Sequence, residues 1–122
     1  MKEFKGTQGP WSAVQQYVDE VSVIDGNGFK VVTAERTAIL IDWDKKGFEH
    51  WGDEGGNRHL SGPEQFANAY LIAAAPELLE SLQELFAHYK ELADSGDAGN
   101  WKLEDEPVGK KAMAAIAKAL GK

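Results

Sequence analysis

The stretch Asn68–Leu82, N-A-Y-L-I-A-A-A-P-E-L-L-E-S-L, is the strongest helical signal in this chain of 122 residues. It joins an alanine-rich half to a leucine-rich half through one proline, Pro76. Alanine and leucine favour helices, whereas a proline inside a helix removes one hydrogen bond and clashes with the preceding turn. The stretch therefore predicts a long helix that is kinked or broken at Pro76.

The start of this helix is marked by the motif S-G-P-E, which begins at Ser61. Ser61 and Glu64 have the spacing of a capping box, in which each side chain accepts a hydrogen bond from the backbone N–H of the other. Pro63 suits the first turn, where its missing N–H costs nothing. We expect the helix to run to about Ala93 and to end in a flexible loop at Asp94–Asn100.

A second helix is predicted over Pro107–Leu120. Asp105 or Glu106 can cap its start, and Gly121 can end it, because glycine readily adopts the left-handed conformation that terminates helices. Its apolar residues fall on or near one stripe and comprise Val108, Ala112, Ile116 and Ala119.

The preceding part of the chain has strand patterns. Two runs rich in β-branched residues, Val21–Ile24 and Phe29–Thr33, flank a D-G-N-G cluster, which is a strong hairpin signal because Gly and Asn accept positive φ. Trp11–Val18 has a less regular strand pattern. Thr37–Asp42 predicts a mostly buried strand, because no polar residue interrupts 38–41.

Strands followed by helices predict an α+β protein. We expect a small antiparallel β-sheet of three to four strands, packed against the long kinked or broken helix and the C-terminal helix. The length suits a single domain over residues 1–122, with the β region at about 11–60 and the helical region at about 61–121.

The composition limits the classes of partner. The net charge of −7 disfavours nucleic acid as a direct partner, because phosphates bind Lys and Arg, and it suits a basic protein surface. A charge of this size is also normal for a small domain. The absence of cysteine excludes disulfides and thiolate catalysis. No apolar run approaches the roughly 20 residues that span a membrane, so we expect no membrane contact.

No residue pattern indicates an enzyme, a metal or a cofactor. The segment from Asp42 to Asp53 loosely mimics a calcium loop, but Lys46 stands where an oxygen ligand belongs. The histidines lack the i, i+4 spacing of a metal-binding helix, and no serine lies in a G-x-S-x-G context. We therefore expect a protein without catalytic residues and without a cofactor.

The segment 43–60 is polar and Gly-rich, yet it contains three large aromatic residues. It is either a mobile loop or carries one more short strand at 47–51. The aromatic side chains either cover the sheet or form a binding rim, since aromatic residues anchor interfaces and carboxylates favour a basic partner. The predicted interaction surface comprises Trp43, Asp44, Phe48, Trp51, Asp53 and Glu54.

Apolar residues repeat along the long helix with the 4-3-4-3-4-3 spacing of a coiled-coil seam. Leu79 and Phe86 widen this stripe, as in a helix that packs on a sheet. This apolar stripe fits core packing alone and also core packing combined with homodimerisation. Because a small sheet can cover only part of this helix, we expect a homodimer. The oligomer seam comprises Leu71, Ala75, Leu78, Leu82, Leu85, Tyr89 and Leu92.

Two pieces of the chain resemble small proteins encoded by tailed bacteriophages and prophages. They are the K-G-T-Q-G-P-W of residues 5–11 and the stretch Asn68–Leu82. The phage proteins have a T-x-G-P-W start, a short β region and then N-A-x-L-I-A-A-A-P-E-L-L-E-x-L, although Tyr70 stands here where a basic residue is common. The resemblance implies a phage accessory protein, made in the bacterial host cytoplasm, and it carries over no catalytic residue.

Phage accessory proteins often bind and disable host factors, including defence proteins. The leading hypothesis is therefore a non-catalytic protein that binds a host or defence factor with a basic surface. One alternative is a structural role in the virion or its assembly. Another is sequestration of a small nucleotide ligand, for which the candidate residues are Trp51, Arg58, His59 and Arg36.

Overall fold

The long helix is one continuous element, α1 (Gly62–Asp94), in the computed structural model, which describes residues 3–95 and 102–122. Pro76 lies inside this helix of 33 residues without ending it, so the predicted break is wrong. A proline inside a helix costs about 3 kcal/mol. Pro76 is buried, and the helix continues through it. A kink at Pro76 stays a prediction.

Half of the predicted capping box forms at the start of α1. The Ser61 hydroxyl accepts a hydrogen bond from the backbone N–H of Glu64 at 3.2 Å. The carboxylate of Glu64 does not return to Ser61 but binds Arg58, with 2.8 Å between Nη2 and Oε1. The charge of the guanidinium makes it the stronger donor. At the other end α1 reaches Asp94, and residues 96–100 of the predicted loop lie outside the described residues.

Three of the predicted strands form one antiparallel sheet in the order β1-β2-β3. They are β1 (Ser12–Tyr17), β2 (Glu20–Ile24) and β3 (Lys30–Ala34). The α+β fold class is confirmed by this sheet together with α1 and a second helix.

The predicted D-G-N-G hairpin joins β2 to β3. Asp25 Oδ1 accepts from the backbone N–H groups of Asn27 and Phe29, each at 2.9 Å. Gly28 has a φ of +89°, a conformation that side-chain-bearing residues rarely adopt. The D-G-N-G hairpin that the sequence predicted is therefore confirmed.

The fourth predicted strand is short and belongs to a second sheet. β4 (Thr37–Ile39) pairs antiparallel with β5 (Asn57–His59) and with no strand of the first sheet. The expectation of a mostly buried strand to Asp42 is wrong, because the chain turns after Ile39 and leaves Ile41 93% exposed. The optional strand at 47–51 is absent as well, since this segment folds into turns.

The chain divides into two compact units, Pro10–Ala74 and a second unit of Ala75–Lys122 with the segment that ends at Gly9. The single domain over 1–122 stays a prediction. In the first unit α1 packs on the first sheet through a small core. Partly buried residues around this core are Trp11, Ala13, Phe66 and Ile72, and the buried core residues are Val21, Val23, Ala34, Ala69 and Ala73.

Gln65 fastens the start of α1 to the sheet. Its side chain is only 2% exposed. The amide Nε2 donates to the carbonyl oxygens of Asp19 at 2.9 Å and Ala34 at 3.0 Å. Asp19 lies in the turn between β1 and β2, and Ala34 is the last residue of β3. The buried amide of Gln65 therefore supplies hydrogen-bond donors to both carbonyl oxygens and ties the start of α1 to the first sheet.

In the second unit α2 (Pro107–Ala119) follows a 3-10 turn at Leu103–Asp105 and runs back along α1. Glu106 occupies the N-cap position, but its side chain makes no capping hydrogen bond, so the predicted acidic cap is wrong. Gly121, with a φ of +77°, ends the helix as predicted.

The close packing of α1 on the sheet predicts a size limit at Ala69. Ala69→Leu should lower the free energy of unfolding by about 1–3 kcal/mol, because a larger side chain overpacks a fully buried position. Chemical denaturation measures the change. The matched control is Ala67→Leu at an exposed position of the same helix, where the change should stay within about 0.5 kcal/mol. Equal effects of the two substitutions would contradict this packing.

Gly109 is predicted to be irreplaceable by alanine. A Cβ at this position would collide with the backbone carbonyl oxygen of Leu103, and backbone cannot move aside as a side chain can. Gly109→Ala should therefore lower the free energy of unfolding by about 1–3 kcal/mol or more, which thermal denaturation detects as a lower midpoint. Gly62→Ala is the control, because its Cβ would meet nothing within 4 Å. A tolerated Gly109→Ala would show that the turn does not lie against α2.

Candidate functional site

The segment between β4 and β5, residues 40–56, is an ordered series of turns that we call the aromatic loop. Its ends are joined by a hydrogen bond from the Leu40 N–H to the Gly56 carbonyl at 2.9 Å. Within it the Phe48 N–H donates to the Trp43 carbonyl at 3.0 Å. The backbone of the loop is therefore held by its own hydrogen bonds.

Asp53 organises the far end of the aromatic loop. Its Oδ2 accepts from the backbone N–H of Glu49 at 3.1 Å and of His50 at 3.0 Å. The Asn57 side-chain amide donates to the Trp51 and Asp53 carbonyls at 3.1 and 3.3 Å. Asp53 thus has a structural role that the sequence did not reveal, while its predicted contact with a partner stays a prediction.

The rings of both tryptophans of the predicted surface lie close to the ring of His50. The ring centroids of Trp43 and His50 are 6.4 Å apart, and those of His50 and Trp51 are 5.1 Å apart at 32°. Trp51 remains 44% exposed. The half-buried ring of Phe48 lies under Gly55, where a Cβ would come within 3.2 Å. Sequence reasoning did not select His50, because nothing in its spacing pointed to ring stacking.

The rim of the aromatic loop is acidic. Five carboxylates stand against two lysines between residues 40 and 56. Lys46 lies 3.7 Å from the Asp42 carboxylate, so part of the positive charge is paired within the loop. Asp44 and Glu54 are exposed. The loop presents aromatic rings and unpaired negative charge on one short segment.

Two residues of the nucleotide hypothesis, Arg58 and His59, already have side-chain partners. The hydrogen bond and charge of Glu64 raise the pKa of Arg58 and occupy its guanidinium. His59 Nδ1 lies 3.0 Å from the Thr37 hydroxyl. A phosphate would have to displace Glu64 to reach Arg58. In the part of the chain that the structure describes, no three His, Asp or Glu side chains are grouped so as to hold a metal ion.

The second unit exposes a patch of large apolar side chains, which we call the apolar face. Its members on α1 are 48–54% exposed, although such residues usually contribute to cores. Leu82 of the predicted seam is half-buried, and Leu71, which belongs to the first unit, is 66% exposed. The apolar face consists of Leu78, Leu85, Tyr89, Leu92 and Val108.

An apolar groove of about 330 Å³ runs along the apolar face between α1 and α2. One wall is formed by α1, and the other by α2 with the 3-10 turn before it. Apart from the Tyr89 hydroxyl, the side chains along it are apolar or small, so the groove offers mainly shape and apolar area. The lining residues are Leu82, Leu85, Phe86, Tyr89, Leu103, Val108, Gly109 and Ala112.

The ion pairs of Lys90 lie near the C-terminal end of α1, whereas a row of glutamates along the same helix has none among residues 3–95 and 102–122. Lys90 Nζ lies 2.9 Å from Glu104 and 3.1 Å from Asp94, and these hydrogen bonds raise the pKa of Lys90. Among the described residues, Glu77, Glu84 and Glu91 form no ion pair. Neither described helix has a stretch apolar and long enough to cross a membrane.

One known family accounts for the whole sequence. The family model described as Salmonella phage P22 protein Y8K6 matches residues 1–122. Comparison with curated proteins and with solved structures found no match. The phage origin implied by the two sequence motifs is therefore confirmed at the level of the family. This chain belongs to the family of Salmonella phage P22 protein Y8K6, a family of phage proteins.

Proposed function

We propose that this phage protein acts by binding another protein through the aromatic loop, without catalysis and without a cofactor, in the cytoplasm of the bacterial host. The observation that carries the proposal is the Trp43–His50–Trp51 ring series on an acidic, hydrogen-bonded loop. A role that disables a host or defence factor fits a small phage protein of this kind.

The order of the aromatic loop supports binding. Its backbone hydrogen bonds and the Asp53 carboxylate hold Trp43 and Trp51 in place before any partner arrives. An interface whose anchors are already ordered loses less conformational entropy when it forms. Tryptophan is also the residue type most often found at the energetic centre of protein interfaces.

The charge of the loop indicates the kind of partner. The exposed carboxylates of Asp44 and Glu54 flank the rings, and the loop as a whole is negative. A basic protein surface would approach it faster and in a preferred orientation, whereas nucleic acid would be repelled. Nucleotide sequestration is less well supported, because Glu64 already occupies Arg58.

We also propose that the protein forms a homodimer through its apolar face. Full burial of a leucine contributes about 1.5–3 kcal/mol, and residues that remain half-exposed leave roughly half of that unused. Several such residues lie side by side on the second unit. A second copy is therefore the proposed occupant of this face, while the aromatic loop of the first unit serves the host partner.

The aromatic loop proposal predicts the loss of a partner on truncation of its rings. Trp43→Ala with Trp51→Ala should weaken capture of a specific host protein by at least about 2 kcal/mol, since both rings are anchors. The measurement is quantitative affinity purification from host lysate, followed by titration with the purified partner. Binding should also weaken as salt is raised.

Phe29→Ala is the matched control, because Phe29 is an aromatic residue of the same unit, 71% exposed on the β2–β3 hairpin. It should leave the partner bound. Undiminished capture by the double tryptophan variant would rule out the aromatic loop as the contact surface. Equal losses from both variants would show non-specific adhesion to exposed rings.

A further inference from the structure

We propose that two copies of the second unit pair as a four-helix bundle, in which α1 of one copy packs antiparallel on α2 of the other. The inference rests on the proposed homodimer and specifies its geometry. It differs from the coiled coil of two α1 helices that the heptad spacing alone would indicate. Three features of the described residues carry it: the sizes of the side chains, the charges of the two helices, and the symmetry of the face.

The first feature is a stripe of small residues on α2. With 4-3-4 spacing they fall on one side of the helix, beside the groove that Val108 and Ala112 line with α1. Ala115 and Ala119 are exposed, so this stripe is open to a partner. The stripe comprises Val108, Ala112, Ala115 and Ala119.

Large residues on α1 complement these small ones. Leu78, Leu85 and Leu92 are exposed and recur every seven residues, so they form a ridge along the outer part of the apolar face. A leucine ridge packs closely against an alanine stripe, because large and small side chains interdigitate. Two leucine ridges facing each other would hold the helices further apart and leave the alanine stripes in water.

The second feature is the opposite charge of the two helices. From Ala75 to the end of α1 there are five carboxylates and one lysine, and that lysine, Lys90, is already paired. α2 carries three lysines and no carboxylate. Contact between two α1 helices would bring together two negative helices, whereas contact between α1 and α2 brings together opposite charges.

The charged rows lie on opposite edges of the face. On α1 the row Glu77, Glu84 and Glu91 lies beyond the leucine ridge, away from α2. On α2 Lys111 and Lys118 lie beyond the alanine stripe, away from α1. Both rows repeat every seven residues, so each keeps to one edge along its helix.

The third feature is symmetry. A closed dimer uses the same patch on both subunits, related by a twofold axis. An axis parallel to the helices places the glutamate row of one copy beside the lysine row of the other, on both edges at once. An axis across the helices places glutamate beside glutamate. The first arrangement is therefore the self-complementary one.

The test uses charge-reversed variants and light scattering after size-exclusion chromatography. One variant combines Lys111→Glu with Lys118→Glu, and the other combines Glu77→Lys, Glu84→Lys and Glu91→Lys. The wild type should have twice the 13.3 kDa mass of one chain at high micromolar concentration. Each variant alone should dissociate at least about tenfold more readily at low salt, because like charges then meet at both edges.

An equimolar mixture of the two variants should regain the dimeric mass, since each mixed pair restores opposite charges at both edges. Single reversals on the backs of the helices are the controls. Lys110→Glu and Glu80→Lys each reverse one charge on a side turned away from the face, so each should leave the dissociation constant unchanged. Circular dichroism checks that each variant is folded.

Three results would overturn the proposal. A monomeric mass of the wild type at high micromolar concentration contradicts the proposed dimer. A lysine-reversed variant that dimerises like the wild type, with the glutamate-reversed variant altered, shows that α1 pairs with α1. A mixture that stays monomeric while each variant is folded shows that the two edges do not meet. None of these results bears on the aromatic loop, which the partner titration tests separately.

Discussion

The contact on which the rest of the structure depends is the one between the alanine face of α1 and the first sheet. Ala69 and Ala73 lie against Val21 and Val23, and the buried amide of Gln65 fixes the helix at one end of this contact. Because alanine ends at Cβ, the helix backbone comes close to the strands. The sheet therefore buries small residues of α1, and the leucine-rich half that follows Pro76 belongs to the second unit.

Local chemistry explains which elements could be predicted. The D-G-N-G turn, the Ser61 cap and the Gly121 terminus each depend on one or two residues with special geometry, and all three form as the sequence indicated. Elements that depend on tertiary packing were missed. Pro76 lies buried inside α1 without ending it. The sequence N-R-H of β5 has no strand pattern, and it forms a strand only through its pairing with β4.

The candidate sites show the same limit. The sequence indicated Trp43 and Trp51. The ring contacts of His50 with both tryptophans, and the hydrogen bonds that Asp53 accepts from the backbone, follow from the turns of the loop, which no spacing encodes. The heptad spacing indicated an apolar seam on α1. It could not show that Leu82 is half-covered, or that Val108 and an alanine stripe on α2 extend the same face. Those facts depend on where α2 lies.

We propose that the two halves of α1 have different roles: the alanine half packs on the sheet of its own chain, and the leucine half is left open to a second copy. Methyl NMR over a dilution series tests it directly. Signals of Leu78, Leu85 and Val108 should shift with concentration, whereas those of Val23 and Ala69 should not. Concentration-independent leucine signals, or shifts that include the Val23 and Ala69 core, would contradict it.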